Sequence, residues 1–273
     1  MHIVLDCAHG ATYQIAPQLF SELGATLTLL GVQPNGTNIN LDCGSTHLSL
    51  LQKTVVAKKA HLGIAFDGDG DRVLMVDHLG EMVDGDELVF LLAQAGVENG
   101  DVRGGVVGTL MSNLGLEQAI KQLGLDFIRT AVGDRYVNEC LHSTGWQLGG
   151  EASGHIILRD KLTTGDGIVI ALQILAILST THQTLHQAKK DMRKFPQTLI
   201  NVAMSNPTAV FETALVQNAI QSIEKTLGNQ GRLVVRPSGT EPVVRVMVEA
   251  RDEETTQKLA NSLACVLRNV NSA

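Results

Sequence analysis

Leu62-Gly63-Ile64-Ala65-Phe66-Asp67-Gly68-Asp69-Gly70-Asp71-Arg72-Val73-Leu74-Met75-Val76-Asp77 sets an acidic, glycine-punctuated loop between two short apolar runs. Such runs, bounded by Gly and Asp, read as buried strands. Three aspartates at alternate positions, with glycines between them, let a tight loop turn all three carboxylates inward. Converging negative charges repel unless a cation stands among them. Hard oxygen donors in a small cage suit Mg2+, which makes Asp67, Asp69 and Asp71 the candidate metal ligands. An EF-hand is excluded. Counted from Asp67, its sixth position is Arg72 where glycine is needed, and its twelfth is His78 where glutamate is needed. A solvated acidic turn is the plain alternative, yet aspartates seldom alternate with glycines between two buried strands.

Outward from this loop the chain alternates strands and helices. Upstream lie a strand at Ile3–Asp6, a turn at Ala8-His9-Gly10-Ala11, and a helix from Ile15 to Leu23 closed by Gly24. A strand at Thr26–Leu30, a break at Pro34-Asn35-Gly36 and a helical pattern over Leu48–Lys59 follow. Residues 1–83 therefore predict a layered α/β domain. From Gly85 the pattern restarts, with a helix at Glu87–Ala95, a strand at Gly105–Thr109 and a helix at Leu114–Leu123. A strand at Phe127–Arg129, a helix from Asp134 to Cys140, and an apolar helix at Ile168–Leu178 with Asp166 as N-cap complete a second α/β domain over 84–191. In 192–273 an extended segment at Leu199–Ala203, two helical patterns and strands at Arg232–Arg236 and Val243–Ala250 predict a smaller α+β domain.

Composition bounds the function. At about 100–200 residues per domain, 273 residues suggest two or three domains. Aromatics are only 3%, so the core is built from Val, Ile, Leu and Ala. A net charge of −7 argues against a nucleic-acid partner, which needs clustered Lys and Arg. The longest apolar stretch, Ile168–Leu178, is too short to span a bilayer, and no basic segment follows Met1-His2. The expectation is a cytoplasmic protein without a membrane partner. The four cysteines fit no CxxC pattern; Cys7 and Cys140, in apolar surroundings, read as small core residues. His47, His61, His142, His182 and His186 have no ligand spacing and read as surface residues.

Two further loops carry chemistry. In Gly149-Gly150-Glu151-Ala152-Ser153-Gly154-His155, the residues Glu151, Ser153 and His155 alternate and share one face if the loop is extended. A carboxylate and a hydroxyl can hold a sugar's hydroxyls, and an imidazole can move protons near neutral pH. A structural turn is the alternative. In Arg236-Pro237-Ser238-Gly239-Thr240-Glu241-Pro242, hydroxyls and backbone N–H groups converge like a phosphate nest, flanked by Arg236 and Arg245. Arg245 shares a strand face with Val243, Met247 and Glu249, opposite the apolar face of Val244, Val246, Val248 and Ala250. A polar surface hairpin is the alternative here.

Taken together, these motifs resemble the α-D-phosphohexomutases. The likeness extends to Val4-Leu5-Asp6-Cys7-Ala8-His9-Gly10-Ala11-Thr12-Tyr13 and Thr130-Ala131-Val132-Gly133-Asp134-Arg135-Tyr136-Val137, and so covers essentially the whole chain. The resemblance implies Mg2+ at Asp67, Asp69 and Asp71, with Arg72 bracing the loop or binding a substrate phosphate. It implies Glu151 and Ser153 as hydroxyl ligands and His155 as general acid/base. Gly133, Asp134 and Arg135 would lie beside the substrate, with N-capping an equal role for Asp134. Arg236, Ser238, Gly239, Thr240 and Arg245 would bind phosphate. The implied substrate is a phosphohexosamine, and the implied reaction passes a phosphoryl group from a phosphoserine through a sugar bisphosphate. Ala152 departs from the Gln or Asn expected for the amino-sugar branch, so a phosphomannose or phosphoglucose enzyme stays open. The family's Thr-Ala-Ser-His-Asn-Pro-like loop does not occur; Met204-Ser205-Asn206-Pro207 is only an echo of it. The chain resembles domains two to four of four, so an N-terminal domain is expected in the complete enzyme and these residues alone are expected to be inactive. A non-catalytic phosphosugar-binding module is the rival class.

Overall fold

Along β1 (His2–Asp6), Ile3 and Leu5 enter one hydrophobic cluster and Val4 another, because successive side chains point to opposite faces. A strand apolar on both faces belongs inside a covered sheet. The computed structural model, which describes residues 1–204, 207, 209–238 and 241–271, places it there. β1, β2 (Thr26–Leu30), β3 (Leu62–Phe66), β4 (Val73–Asp77) and β5 (Met82–Val83) form a sheet in the order β2-β1-β3-β4-β5. β1 runs parallel to β2 and β3, while β3, β4 and β5 pair antiparallel. Helix α1 (Ile15–Glu22) packs Ala16 and Phe20 on one face, and α2 (Ser49–Lys58) packs Leu51 and Val55 on the other.

The second sheet repeats this plan. α3 (Gly85–Asn99) leads into β6 (Gly105–Thr109), α4 (Leu114–Gln122), β7 (Asp126–Thr130), α5 (Asp134–Thr144), β8 (Leu148–Gly150) and β9 (Ile156–Leu158). The order is β7-β6-β8-β9, with β6 parallel to both neighbours and β9 folded back antiparallel on β8. In both sheets the first strand is central, the second lies outside it, and the third and fourth make a hairpin. The β3–β4 turn is the acidic loop, and the β8–β9 turn is the Glu151–His155 loop. The two candidate loops thus hold equivalent places in the two sheets.

Helix limits follow from their caps. Asp84 accepts from Glu87 N while Glu87 Oε2 accepts from Asp84 N, a capping box that starts α3 ahead of its apolar run. Asp166 caps α6 (Gly167–Thr181) by accepting from the N–H groups of Ile168 and Val169. The short α7 (Leu185–Ala188) follows. One hydrophobic cluster runs from Ile3, Phe20 and Ile64 through Leu91 and Val106 to Ile174. Residues 1–112 and 116–193 accordingly form one compact unit. Cys7 is fully buried in it, and burial pushes its thiol up to about 12. Cys140 is only half-buried, contrary to the sequence reading, because the buried stripe of α5 runs through Val137 and Leu141.

Residues 113–115 and 194–273 form the other unit. β10 (Gln197–Ala203), β11 (Arg232–Pro237) and β12 (Val243–Glu249) pair antiparallel in the order β10-β12-β11. α8 (Ala214–Leu227) and α9 (Glu253–Asn271) pack Val216, Ile223, Leu263 and Leu267 against Val244, Val246 and Val248. The opposite face of β12 is not uniformly polar and exposed: Met247 and Glu249 are buried. Glu249 tolerates this because Arg232 Nε donates to its Oε2 at 3.0 Å. Among the described residues no single helix is long and apolar enough to cross a membrane.

Candidate active site

β3 and β4 stay paired up to Phe66 and Val73, so residues 67–72 form a closed turn. One ligand atom from each of Asp67, Asp69 and Asp71 lies within 4.8 Å of the others. Asp67 is buried, Asp71 half-buried and Asp69 exposed. Arg72 N donates to Asp67 Oδ1 at 3.2 Å, and its Nε lies 3.8 Å from Asp67 Oδ2 and 3.9 Å from Asp71 Oδ1. Burial, with the like charges of Asp71 and Asp69 adding to it, pushes the Asp67 carboxyl up to about 6 against the Arg72 N–H that opposes it. Asp71 Oδ1 is buried and accepts no hydrogen bond. Three converging carboxylates, one reluctant to ionise and one with an orphaned oxygen, fit a small hard cation.

The turn after β1 supports this loop. Asp6, fully buried, accepts from Ala8 N at 3.0 Å and from Gly44 N at 2.9 Å. Ala11 N then donates to Gly68 O at 2.8 Å. At Gly10 a Cβ would stand 2.2 Å from Gly68 O, so the contact needs glycine. In the sequence, the signal for Asp6 is an acid ending a buried strand just before a turn.

The Glu151–His155 segment is not extended. Glu151 N donates to His155 O at 3.0 Å and Gly154 N to Glu151 O at 2.9 Å, closing a hairpin turn, so simple alternation does not apply. Ser153 is exposed at its tip. Glu151 Oε1 accepts from Gly133 N at 3.0 Å, at the start of α5. His155 is 3% exposed, and its Nδ1 lies 3.0 Å from Asp71 Oδ2. Arg72 and His155 form an antiparallel bridge, and Val73 N donates to Gly154 O at 3.1 Å. The two hairpin tips are therefore joined through both backbone and side chains. Gly165 lies against the imidazole, where a Cβ would sit 2.6 Å from Cε1 and Nε2.

Asp134 is the first residue of α5, and Gly133 is the cap, with no side-chain cap bond. The N-cap reading of Asp134 is thus corrected: a carboxylate in the first turn favours the helix dipole without capping it. Arg135 is exposed and pairs with Glu139 at 2.7 Å. In the other unit, Arg236 and Arg245 stand directly opposite on β11 and β12. Arg245 Nη2 donates to Glu241 Oε2 at 3.0 Å, while its Nε is buried with no acceptor. Ser238 N donates to Val243 O at 2.9 Å. Gly239 and Thr240, like Ser205 and Asn206, lie outside the described residues.

His186 is not a plain surface residue. Its Nδ1 lies 2.9 Å from Oδ2 of Asp77, which is wholly buried. Lys189 Nζ reaches the same oxygen at 3.1 Å and Glu81 Oε2 at 3.0 Å. Burial alone would raise the Asp77 carboxyl, but His186, Glu81 N and Lys189 together hold it below its usual range. Asp77, Glu81 and His186 converge closely enough to ligate a metal, but the Lys189 ammonium already bonds both of the carboxylates.

Sequence models of one family match almost the whole chain. The match comprises phosphoglucomutase/phosphomannomutase alpha/beta/alpha domain II over residues 1–80, domain III over 84–195 and the C-terminal domain over 199–265. A phosphoglucosamine mutase of Methylococcus capsulatus is 55% identical over 273 residues, which are 100% of this chain and 61% of that protein. One of Cellvibrio japonicus is 55% identical over 267 residues, 98% of this chain and 60% of the relative. The chain thus spans about 60% of the length of these curated relatives. Among solved structures, a phosphoglucomutase/phosphomannomutase family protein of Burkholderia thailandensis superposes with a TM-score of 0.81 at 22% identity, covering 98% of this chain and 60% of that one. Aspergillus fumigatus N-acetylphosphoglucosamine mutase, solved in complex with GlcNAc-6P and magnesium, gives 0.81 at 21% identity, covering 97% and 65%. These two structures share the fold. The ordered match of three consecutive domain models places the chain in the phosphoglucomutase/phosphomannomutase family, as its domains II, III and IV.

Proposed function

We propose that this chain is the metal-, sugar- and phosphate-binding part of a bacterial cytoplasmic phosphoglucosamine mutase. Such an enzyme interconverts glucosamine 6-phosphate and glucosamine 1-phosphate on the route to UDP-N-acetylglucosamine and peptidoglycan precursors. The observation that carries the reading is the junction of two hairpin tips, one caging three carboxylates and the other presenting Glu151, Ser153 and His155. The 55% identity to a relative of that name favours the amino sugar over other phosphohexoses.

In this reading residues 1–83, 84–191 and 192–273 are three domains with separate tasks. Asp67, Asp69 and Asp71 hold Mg2+, which neutralises charge at the transferred phosphoryl group. Arg72 braces the cage. Glu151 and Ser153 receive sugar hydroxyls, His155 acts as general acid/base, and Gly133, Asp134 and Arg135 flank the sugar. Arg236, Ser238, Gly239, Thr240 and Arg245 grip the phosphate that is not reacting. A phosphoserine donates its phosphoryl group to the sugar hydroxyl; the bisphosphate reorients and returns its other phosphoryl group to the serine. These 273 residues hold no Ser-His-Asn-Pro string, so the chain assayed alone binds substrate without turning it over.

Calorimetric titration of the purified chain with glucosamine 6-phosphate is expected to show binding, and Arg245→Ala to weaken it. No binding overturns the reading. Sustained conversion by the 273-residue chain, with glucose 1,6-bisphosphate and Mg2+ added, overturns the assignment of the chemistry to a serine outside it.

A further inference from the structure

Asp71 has two oxygens in unlike surroundings. Oδ2 lies 3.0 Å from His155 Nδ1, whereas Oδ1 is buried with no hydrogen-bond donor and lies, like Asp67 Oδ2, on the side of Arg72 Nε, at 3.9 and 3.8 Å respectively. The terminal torsion of a carboxylate is soft, so one oxygen must be tied down if the other is to keep a fixed direction. Arg72 does this poorly: its Nε is 3.9 Å from Oδ1, and its side chain is 44% exposed. His155 is better placed, because its ring cannot drift. It is buried, its backbone bridges to Arg72, and Gly165 lies against the Cε1–Nε2 edge.

We propose that His155 is a positioning residue of the cation site, its Nδ1–H holding Asp71 Oδ2 so that Oδ1 is aimed at the cation. The proposal rests on the cage reading of Asp67, Asp69 and Asp71, and it goes beyond the acid/base role given to His155. A carboxylate that ligates a cation only accepts, so in this arrangement Nδ1 is the donor. Donors behind a ligating carboxylate commonly set metal affinity. Here the donor comes from the second sheet and the ligand from the first, so the β8–β9 hairpin is built into the cation site of the β3–β4 hairpin.

The test is Mn2+ binding to the whole chain, followed by electron paramagnetic resonance, a readout independent of turnover. His155→Phe keeps a ring but has no donor, and is expected to weaken Mn2+ binding about 10- to 100-fold. His155→Asn can donate from nearly the position of Nδ1 and is expected to restore binding most of the way. Gly165→Ala, which displaces the ring while keeping the imidazole, is expected to weaken binding and serves if His155→Phe does not fold. Wild-type affinity in both His155→Phe and Gly165→Ala overturns the proposal, as does a His155→Asn variant no better than folded His155→Phe. If the wild-type chain binds no Mn2+, or binds it unchanged in Asp67→Asn, the cage reading fails and the proposal falls with it.

Discussion

Arg236 faces Arg245 directly across the β11–β12 ladder. Like charges in such a pair weaken a sheet. Only one of the two guanidiniums has a described carboxylate partner, Glu241, and Arg245 Nε is still buried without an acceptor. An anion drawn to this hairpin relieves both the repulsion and the orphaned donor. Arg245→Ala is expected to cost about 1.5–3 kcal/mol of glucosamine 6-phosphate binding, roughly 10- to 150-fold in Kd. Inorganic phosphate is expected to raise the Tm of the wild-type chain and to have less effect on the variant. Calorimetry and thermal melts check both.

Asp67 makes the metal-free chain pH-sensitive. Its folded pKa of about 6 lies above the ordinary 3.8, so the folded state takes up a proton more readily than the unfolded one. The stability this contributes is fully present below about pH 4 and is lost as pH rises through about 6. Asp67→Asn is therefore expected to be more stable than wild type at pH 7, by on the order of 1–3 kcal/mol, with the gap narrowing toward pH 4. Excess Mg2+ should reverse the order at pH 7, because the cation binds the ionised carboxylate. Urea denaturation at the two pH values, with and without Mg2+, reads the outcome.

Asp77 has the opposite sign. His186 and Lys189 hold its pKa below 3.8, so its contribution is present above that pH and is lost as pH falls below it. Lys189→Met leaves a buried carboxylate with only His186 and turn N–H groups. The expected cost at pH 7 is about 2–3 kcal/mol, less than the loss of a sole partner. A urea midpoint equal to that of wild type would show that the ammonium contributes nothing.

Gly10→Ala tests whether the turn after β1 sets the acidic loop. The added Cβ would sit 2.2 Å from Gly68 O, a backbone atom that can yield only by moving the loop. The expected cost is about 1–3 kcal/mol of stability, together with weaker Mn2+ binding. A variant that melts lower but binds Mn2+ normally would separate the turn from the cage.

Most of the layered architecture is legible in the sequence, because β1, β3, β4 and β6 are short apolar runs bounded by Gly and Asp, and α3 and α6 open on capping aspartates. The convergence of Asp67, Asp69 and Asp71 is legible too, since it is local. What escaped is non-local or very short. His155 and Asp71 are 84 residues apart, and His186 and Asp77 are 109 apart. No spacing rule links such pairs. β8 and β9 have three residues each and the turn between them contains Gly154 at φ +95°, so alternation read across it as if it were extended gave the wrong geometry. Asp134 misled because an acid at a helix start looks alike whether it caps or only begins the helix.

The acidic loop is the turn of a hairpin whose strands both lie inside the sheet, β3 bonded to β1 and β4, and β4 to β3 and β5. Its two ends are thus anchored to amides that trade hydrogen for deuterium only when the sheet itself opens. Isotope exchange at Ile64, Ala65, Leu74 and Met75 should track global unfolding, even with the cage empty. A cation entering the loop would then be admitted by side-chain rotation and the shedding of water, between strands that stay paired.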